Sequence, residues 1–282
     1  MDFKHVRKTR KKGNCHAPSF DKTVQEYRTT IHASAMFNDL CETLQRYKEQ
    51  IMRIRCLALG EFYSDFPAKY QLALLLELLE FLESDRDQKI LVSIYDPVFG
   101  KDEKTFIEKM GSNWFIDESI TGDDNVHLMH TLFYLPHAPL DLTDTVLLRE
   151  KPSLLLANNI IEHTSRYTKS ELFQKYPALS RLINSLENTD SANKGSVQNV
   201  ISSTGTLGDT NSDGDNFTTY TPKRRRRKNK SKFLFQEPEI DYGSIDTWFR
   251  SCELLTTFEN GALLKDKPWA NSFSDMSLHL IE

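Results

Sequence analysis

The sequence predicts an α/β domain of the Rossmann type: a mostly parallel five-stranded sheet with helices on both faces and an antiparallel strand added at its C-terminal edge. Two observations carry this. Short apolar runs alternate with helix-patterned segments at the spacing of βαβ units. The stretch at 54–82 (IRCLALGEFYSDFPAKYQLALLLELLEFL) reads as buried strand, polar turn and apolar helix, the first unit of a doubly wound fold.

In that stretch Ile54, Cys56, Leu57, Ala58 and Leu59 form an apolar run without alternation, which suits a strand covered on both faces. Gly60 stops it. Pro67 stands where a first helical turn tolerates proline, with Ser64 or Asp65 as candidate cap. Nearly every residue from 68 to 82 is a good helix former. Upstream, Leu40, Leu44, Tyr47 and Ile51 recur at helical spacing and predict an amphipathic helix over 39–52. Downstream, 89–95 reads as a second strand, closed by the Asp96-Pro97 turn signal. A short helix follows over 102–110, with Asp102 as candidate cap and Gly111 at the stop position. Residues 114–116, 130–135 and 153–157 read as strands, 141–149 as a helix, and 169–186 as a helix divided at Pro177. The link between the third and fourth strands has about a dozen residues, near the minimum for a parallel crossover. At the far end 246–255 reads as helix and 277–281 as the last strand.

Charge is segregated. Residues 1–12 carry six Lys/Arg and one Asp, and residues 223–232 carry eight Lys/Arg and no acid; against a net charge of -4 the remainder holds -17. An acidic body speaks against direct nucleic-acid binding by the folded domain, which would need clustered positive charge. The expected organisation is a basic, disordered segment at 1–37, an α/β core at 38–186, a disordered Ser/Asn/Gly-rich and basic insertion at 187–232, and the C-terminal part of the core at 233–282. The four cysteines, Cys15, Cys41, Cys56 and Cys252, have no metal-binding spacing. His127, His130 and His137 are not placed to share a metal, so no metal site is expected. No secretory signal or membrane-spanning run is legible, and the expected location is cytoplasmic and nuclear.

Three motifs in order, YQLALLL at 70–76, YDPVF at 95–99 and TLFYLPH at 131–137, follow a strand ending at Gly60 and precede Asn158. In combination they resemble the Sensitivity to Red Light Reduced family, over about 50–160 with a plausible tail in SLHLI. The likeness extends to a fungal member named for benomyl resistance. The resemblance implies a regulatory protein without an established reaction, acting in microtubule stability, in circadian or light-type signalling, or in control of heme biosynthesis. Its implied partners are tubulin or microtubule-associated factors. The chain departs from the family pattern at Ala58 and Glu61, where a more Gly/Ser-rich turn is common, and at Ala138, where Cys is frequent.

With five parallel strands, Gly60, Glu61, Ser64, Asp96, His137 and Asn158 fall just past strand C-termini, the edge where open α/β sheets bind ligands. They are the candidate ligand-binding residues. Asp96 ends the second strand, where an acid often holds a ribose hydroxyl, and His137 is a candidate acid or base. Each also has a plain reading: Asp-Pro and Pro-His form turns, Asn158 caps a helix, and Gly60 permits a tight turn. The absence of GxGxxG disfavours a dinucleotide; S-adenosylmethionine asks less of glycines. The alternative to a partner- or ligand-binding regulator is therefore a methyltransferase-like or nucleotide-dependent enzyme using this edge. No residue is assigned a catalytic role and no cofactor is named. Lys223, Arg224, Arg225, Arg226, Arg227 and Lys228 read as a nuclear import signal for an import receptor, as a contact for acidic partners such as tubulin tails, or as a solvated run. Glu77, Glu80 and Glu83 are expected to mark the solvent edge of the long helix.

Overall fold

The computed structural model describes residues 19–120, 130–194 and 239–282 apart from Ser274. Two helices, α1 (Phe20–His32) and α2 (Ala35–Leu44), lead through a 3-10 turn at Gln45–Gln50 into β1 (Arg53–Leu57). Then come α3 (Phe66–Glu83), β2 (Leu91–Tyr95), α4 (Lys101–Lys109), β3 (Trp114–Ile116), β4 (Thr131–Leu135), α5 (Leu140–Arg149) and β5 (Leu154–Asn158). The chain closes with α6 (Ile160–Thr164), α7 (Lys169–Lys175), α8 (Pro177–Lys194), β6 (Cys252–Thr256) and β7 (Met276–Ile281).

The strands form one sheet in the order β3-β2-β1-β4-β5-β7-β6. β1 pairs in parallel with β2 on one side and β4 on the other, β2 with β3, and β4 with β5. β7 is antiparallel to both β5 and β6, so β6 resumes the common direction. The α/β class and the parallel core agree with the sequence. The C-terminal segment supplies two strands at that edge rather than one.

Side-chain alternation along β1 splits the core. Ile54 and Cys56 pack with α1, α2 and α3 on one face. Arg55 and Leu57 point to the other, where Leu57 joins Phe133, Leu155, Val146 and Leu182. Helix α3 is apolar almost all round because it is covered all round. Leu72, Leu74, Leu75, Leu78 and Leu82 have no exposed surface, and each such leucine contributes about 2 kcal/mol by burial.

What covers α3 on its outer side is α1, and this corrects the expected disordered segment at 1–37. Residues 20–32 and 35–44 are helical; residues 1–18 lie outside the described residues. Ser19 caps α1, accepting from the Lys22 amide. Tyr27 stacks on Tyr70 at 3.8 Å between ring centroids, and Phe20 stacks on Tyr63 at 3.8 Å. Val24 and Ile31 are buried beneath. Arg28 Nε donates to Glu77 at 2.6 Å and His32 Nδ1 meets the same carboxylate at 2.9 Å, while Arg28 also pairs with Glu80. Glu77 is therefore buried, not at the solvent edge as its spacing suggested; the packed α1 supplies the Arg28 charge and the His32 hydrogen-bond partner that make its burial tolerable.

Further corrections are local. The cap position of α4 is Gly100, not Asp102, and the Glu103 carboxylate accepts from the Gly100 amide. Residues 252–256 are strand, not helix: ten residues cannot separate the two periods, and pairing with β7 decides. Helix α8 runs to Lys194, beyond the expected start of the insertion at 187. The remainder of that insertion, 195–232, lies outside the described residues.

Candidate functional site

The order 3-2-1-4-5 places the reversal of strand order between β1 and β4, and the crevice at such a reversal is where doubly wound sheets bind ligands. A pocket of about 830 Å³ lies there. It is lined by the loop after β1, the start of α3, the turn after β2, Ile120, and the segment from β4 into α5. The walls are mostly apolar: Leu57, Ala58, Tyr95, Val98, Ile120 and Leu142. Its carboxylates are Glu61, Asp65 and Asp96, and neither Lys nor Arg lines it among the described residues.

The loop after β1 is shaped by backbone geometry. Ala58 has φ +56° and Gly60 φ +81°, both left-handed. For Ala58 that conformation costs about 1 kcal/mol, and the surrounding bonds hold it. Asp96 Oδ2 accepts from the Gly60 amide at 2.8 Å, and Oδ1 accepts from the Val98 amide at 3.1 Å. A second carboxylate ties the same two loops: Glu103 accepts from the Tyr63 amide at 3.2 Å as well as from Gly100 at 3.1 Å. Asp96 is 8% exposed. It braces the pocket floor and keeps lone pairs to spare, since a carboxylate has about four.

Of the expected residues, Gly60, Glu61, Asp96 and His137 line this pocket. Ser64 and Asn158 do not. The Ser64 hydroxyl donates to the Glu61 carboxylate at 2.9 Å. Asn158 ends β5 and its amide meets His163 Nδ1 at 3.4 Å. The expected helix-capping role falls to its neighbour: Asn159 Oδ1 accepts from the amides of Ile161 and Glu162. Lys223, Arg224, Arg225, Arg226, Arg227 and Lys228 lie outside the described residues, as does His127. Among the described residues no cluster of His, Cys, Asp and Glu is arranged to hold a metal.

Several residues at this edge escaped sequence reasoning. Asp275 precedes the reversed strand β7, which starts where the parallel strands end, so antiparallel pairing delivers it to the same edge. Burial raises its carboxyl above the usual range against the pull of His163 and His137. Burial lowers His163, with Asp275 pulling the other way.

A largely buried ionic group holds the segment that leads into Ile120. Arg55 is fully buried and donates to the carbonyls of Asp117 at 2.9 Å and Ser119 at 2.7 Å. Arg53 donates to Ser93 and to Asp117 at 3.1 Å. Burial raises Glu150, 3.4 Å from Arg55, against the charges of Arg55 and Arg53. Asp117 is held below the usual carboxylate range: burial opposes this, and the Ser119 hydroxyl and the Arg55 charge outweigh it. The group anchors 117–119 and so sets Ile120 into the pocket wall. A charged residue inside an otherwise apolar strand was the available signal.

A family model described as the SRR1 domain matches residues 40–280. The chain is also similar to the SRR1-like protein of Drosophila melanogaster, 31% identical over 153 residues, which are 51% of this chain and 52% of that protein. The match thus spans about half the length of that relative. No solved structure matches.

Proposed function

This chain belongs to the SRR1 domain family, and we propose from that premise that it is a regulatory protein that works by binding a small, phosphate-free, neutral or cationic molecule between β1 and β4. One observation carries the reading: the pocket at the strand-order reversal is roomy, apolar-walled, and lined by three carboxylates and, among the described residues, by no Lys or Arg. A phosphate would need a glycine-rich nest or basic side chains, and here it would face Glu61, Asp65 and Asp96. This argues against a nucleotide-dependent enzyme. In the regulatory reading the ligand biases the loops after β1 and β2, which Asp96 and Glu103 hold together, and a partner reads the result.

The test is to fill the pocket without disturbing the core. Leu142 lines the pocket and is only partly buried, so Leu142→Trp should occupy ligand space while melting within about 2 °C of the parent. In cells lacking the protein, L142W is expected not to restore the parental phenotype. Full restoration by a stably folded L142W would refute the reading.

We extend to this chain, as proposals from the family resemblance, a role in microtubule stability, in circadian or light-type signalling or in heme regulation. Residence in cytoplasm and nucleus, and use of the 223–228 basic run for import or for contact with acidic tubulin tails, stand likewise. Normal benomyl tolerance after gene deletion would remove the microtubule role. Unchanged location and tubulin co-sedimentation after neutralising 223–228 would remove the role of the basic run.

A further inference from the structure

We infer that the ligand of this pocket is a nucleoside sulfonium of the S-adenosylmethionine type: an adenosine whose 5′ substituent carries a fixed positive charge. The inference rests on the reading that the pocket takes a phosphate-free ligand.

Three independent features converge on that chemistry. The first is topology. The sheet order 3-2-1-4-5-7-6, with only β7 reversed and inserted between β5 and β6, is the arrangement of seven-stranded methyltransferases that use this cofactor. A fold alone assigns no activity, so the site must carry the rest.

The second is the placement of polar groups. Asp96 follows the last residue of β2, the position from which an acid receives ribose hydroxyls in nucleoside-binding sheets. Both its oxygens already accept one backbone amide each, Gly60 and Val98, which fixes their direction and leaves lone pairs for a diol. Gly60, at φ +81°, has no side chain over the turn, so a ligand can approach the backbone there. Beside Asp96, Val98 is apolar and 48% exposed at the pocket. Ile120 also lines the pocket, so two apolar side chains are available there to pack on a purine ring.

The third is charge. Glu61 and Asp65 flank the loop after β1, and no fixed cation lines the pocket among the described residues. A dinucleotide or nucleoside triphosphate would be repelled, whereas S-adenosylmethionine, whose sulfonium and ammonium outweigh its one carboxylate, is net cationic and would be attracted. The pocket, about 830 Å³, also falls within the range usual for small-molecule sites.

Calorimetric titration of the full chain with S-adenosylmethionine, adenosine and ATP tests the inference. S-adenosylmethionine is expected to bind at least tenfold more tightly than adenosine, and ATP at least a hundredfold more weakly than S-adenosylmethionine. Asp96→Asn should weaken S-adenosylmethionine at least tenfold. Because Asp96 also braces the loop, Val98→Arg is the second variant: it adds a cation and bulk at an exposed position, and should cost at least tenfold with an unchanged melting temperature. The apolar fluorophore 1-aminonaphthalene serves as a neutral probe of the same pocket. Binding of 1-aminonaphthalene that V98R abolishes, without binding of S-adenosylmethionine at 1 mM, would overturn the sulfonium inference and leave the pocket reading intact. Binding of neither would overturn both. Equal affinity for ATP would overturn the charge argument and with it the inference.

Discussion

Acid sensitivity should be set in part by one histidine. His279 lies in the middle of β7 and has no exposed surface. Its Nδ1–H donates to the Leu155 carbonyl at 3.0 Å, and its Nε2 has no partner. Burial lowers its pKa to about 4, against an ordinary value of 6.5. The folded protein therefore keeps the ring neutral where the unfolded chain takes a proton. The resulting stability is fully present above pH 6.5 and is lost as pH falls towards 4. At about 1.4 kcal/mol per pH unit the gap is worth about 3 kcal/mol, of which about 2 kcal/mol is gone by pH 5. Asp144, Glu150 and Asp275, whose carboxyls burial raises, act in the opposite sense, so the absolute pH profile mixes several groups. His279→Asn removes them by difference, because asparagine keeps a donor near Nδ1 and does not titrate. Urea unfolding of parent and H279N at pH 7.5, 6, 5 and 4.5 gives the measurement. The stability difference between the two should shift by about 2 kcal/mol in favour of H279N between pH 7.5 and 5. A pH-independent difference, within about 0.5 kcal/mol, would refute the assignment of a neutral buried imidazole.

Other expectations follow from single contacts. Arg28→Met leaves Glu77, whose side chain is 6% exposed, without its main partner and should cost about 3 kcal/mol; the double variant R28M/E77M should recover most of that by urea unfolding, and failure to recover would refute the buried-pair account. Gly60→Ala meets only the Ala68 Cβ at 3.4 Å, so the cost comes from the backbone at φ +81° and should be about 1 kcal/mol; a loss above about 3 kcal/mol would mean the space is not there. Burial pushes Cys41 and Cys252 up to about 12, with nearby acids adding to it, and raises Cys56 further. These three thiols should resist iodoacetamide at pH 8 in the native state, with a thiolate fraction of roughly one in ten thousand for the first two. Rapid native alkylation of Cys41, read by peptide mass spectrometry, would contradict this.

Much of the parallel sheet was legible because each strand from β1 to β5 is a dense apolar run between turn formers, and each intervening helix has its own period. The first element of the pocket was legible for the same reason: Gly60 and Asp96 end strands, and strands that run parallel end together. Failures came where a partner far away in sequence decides the outcome. Residues 252–256 become strand because β7 offers unpaired backbone groups. Glu77 goes inside because α1, forty-five residues upstream at His32, brings Arg28 and His32 to it. Ser64 and Asn158 satisfied the topological rule and still miss the pocket lining, because the rule places a backbone position and says nothing of where a short side chain turns.

The sequence by itself determined the family, through motifs held at fixed separations along the chain, and the parallel core, through local periodicity. Those are properties of neighbouring residues. Only the tertiary structure decided which charges meet. Asp96 bonds the amide of Gly60, thirty-six residues earlier; Arg55 holds the carbonyls that set Ile120 into the wall; and antiparallel β7 carries Asp275 to an edge otherwise made of strand C-termini. The pocket's acidity, and the absence of Lys and Arg from its lining among the described residues, arise from this convergence of separate segments. No window of the chain contains them together, because long-range packing, not local propensity, brings loop ends into contact.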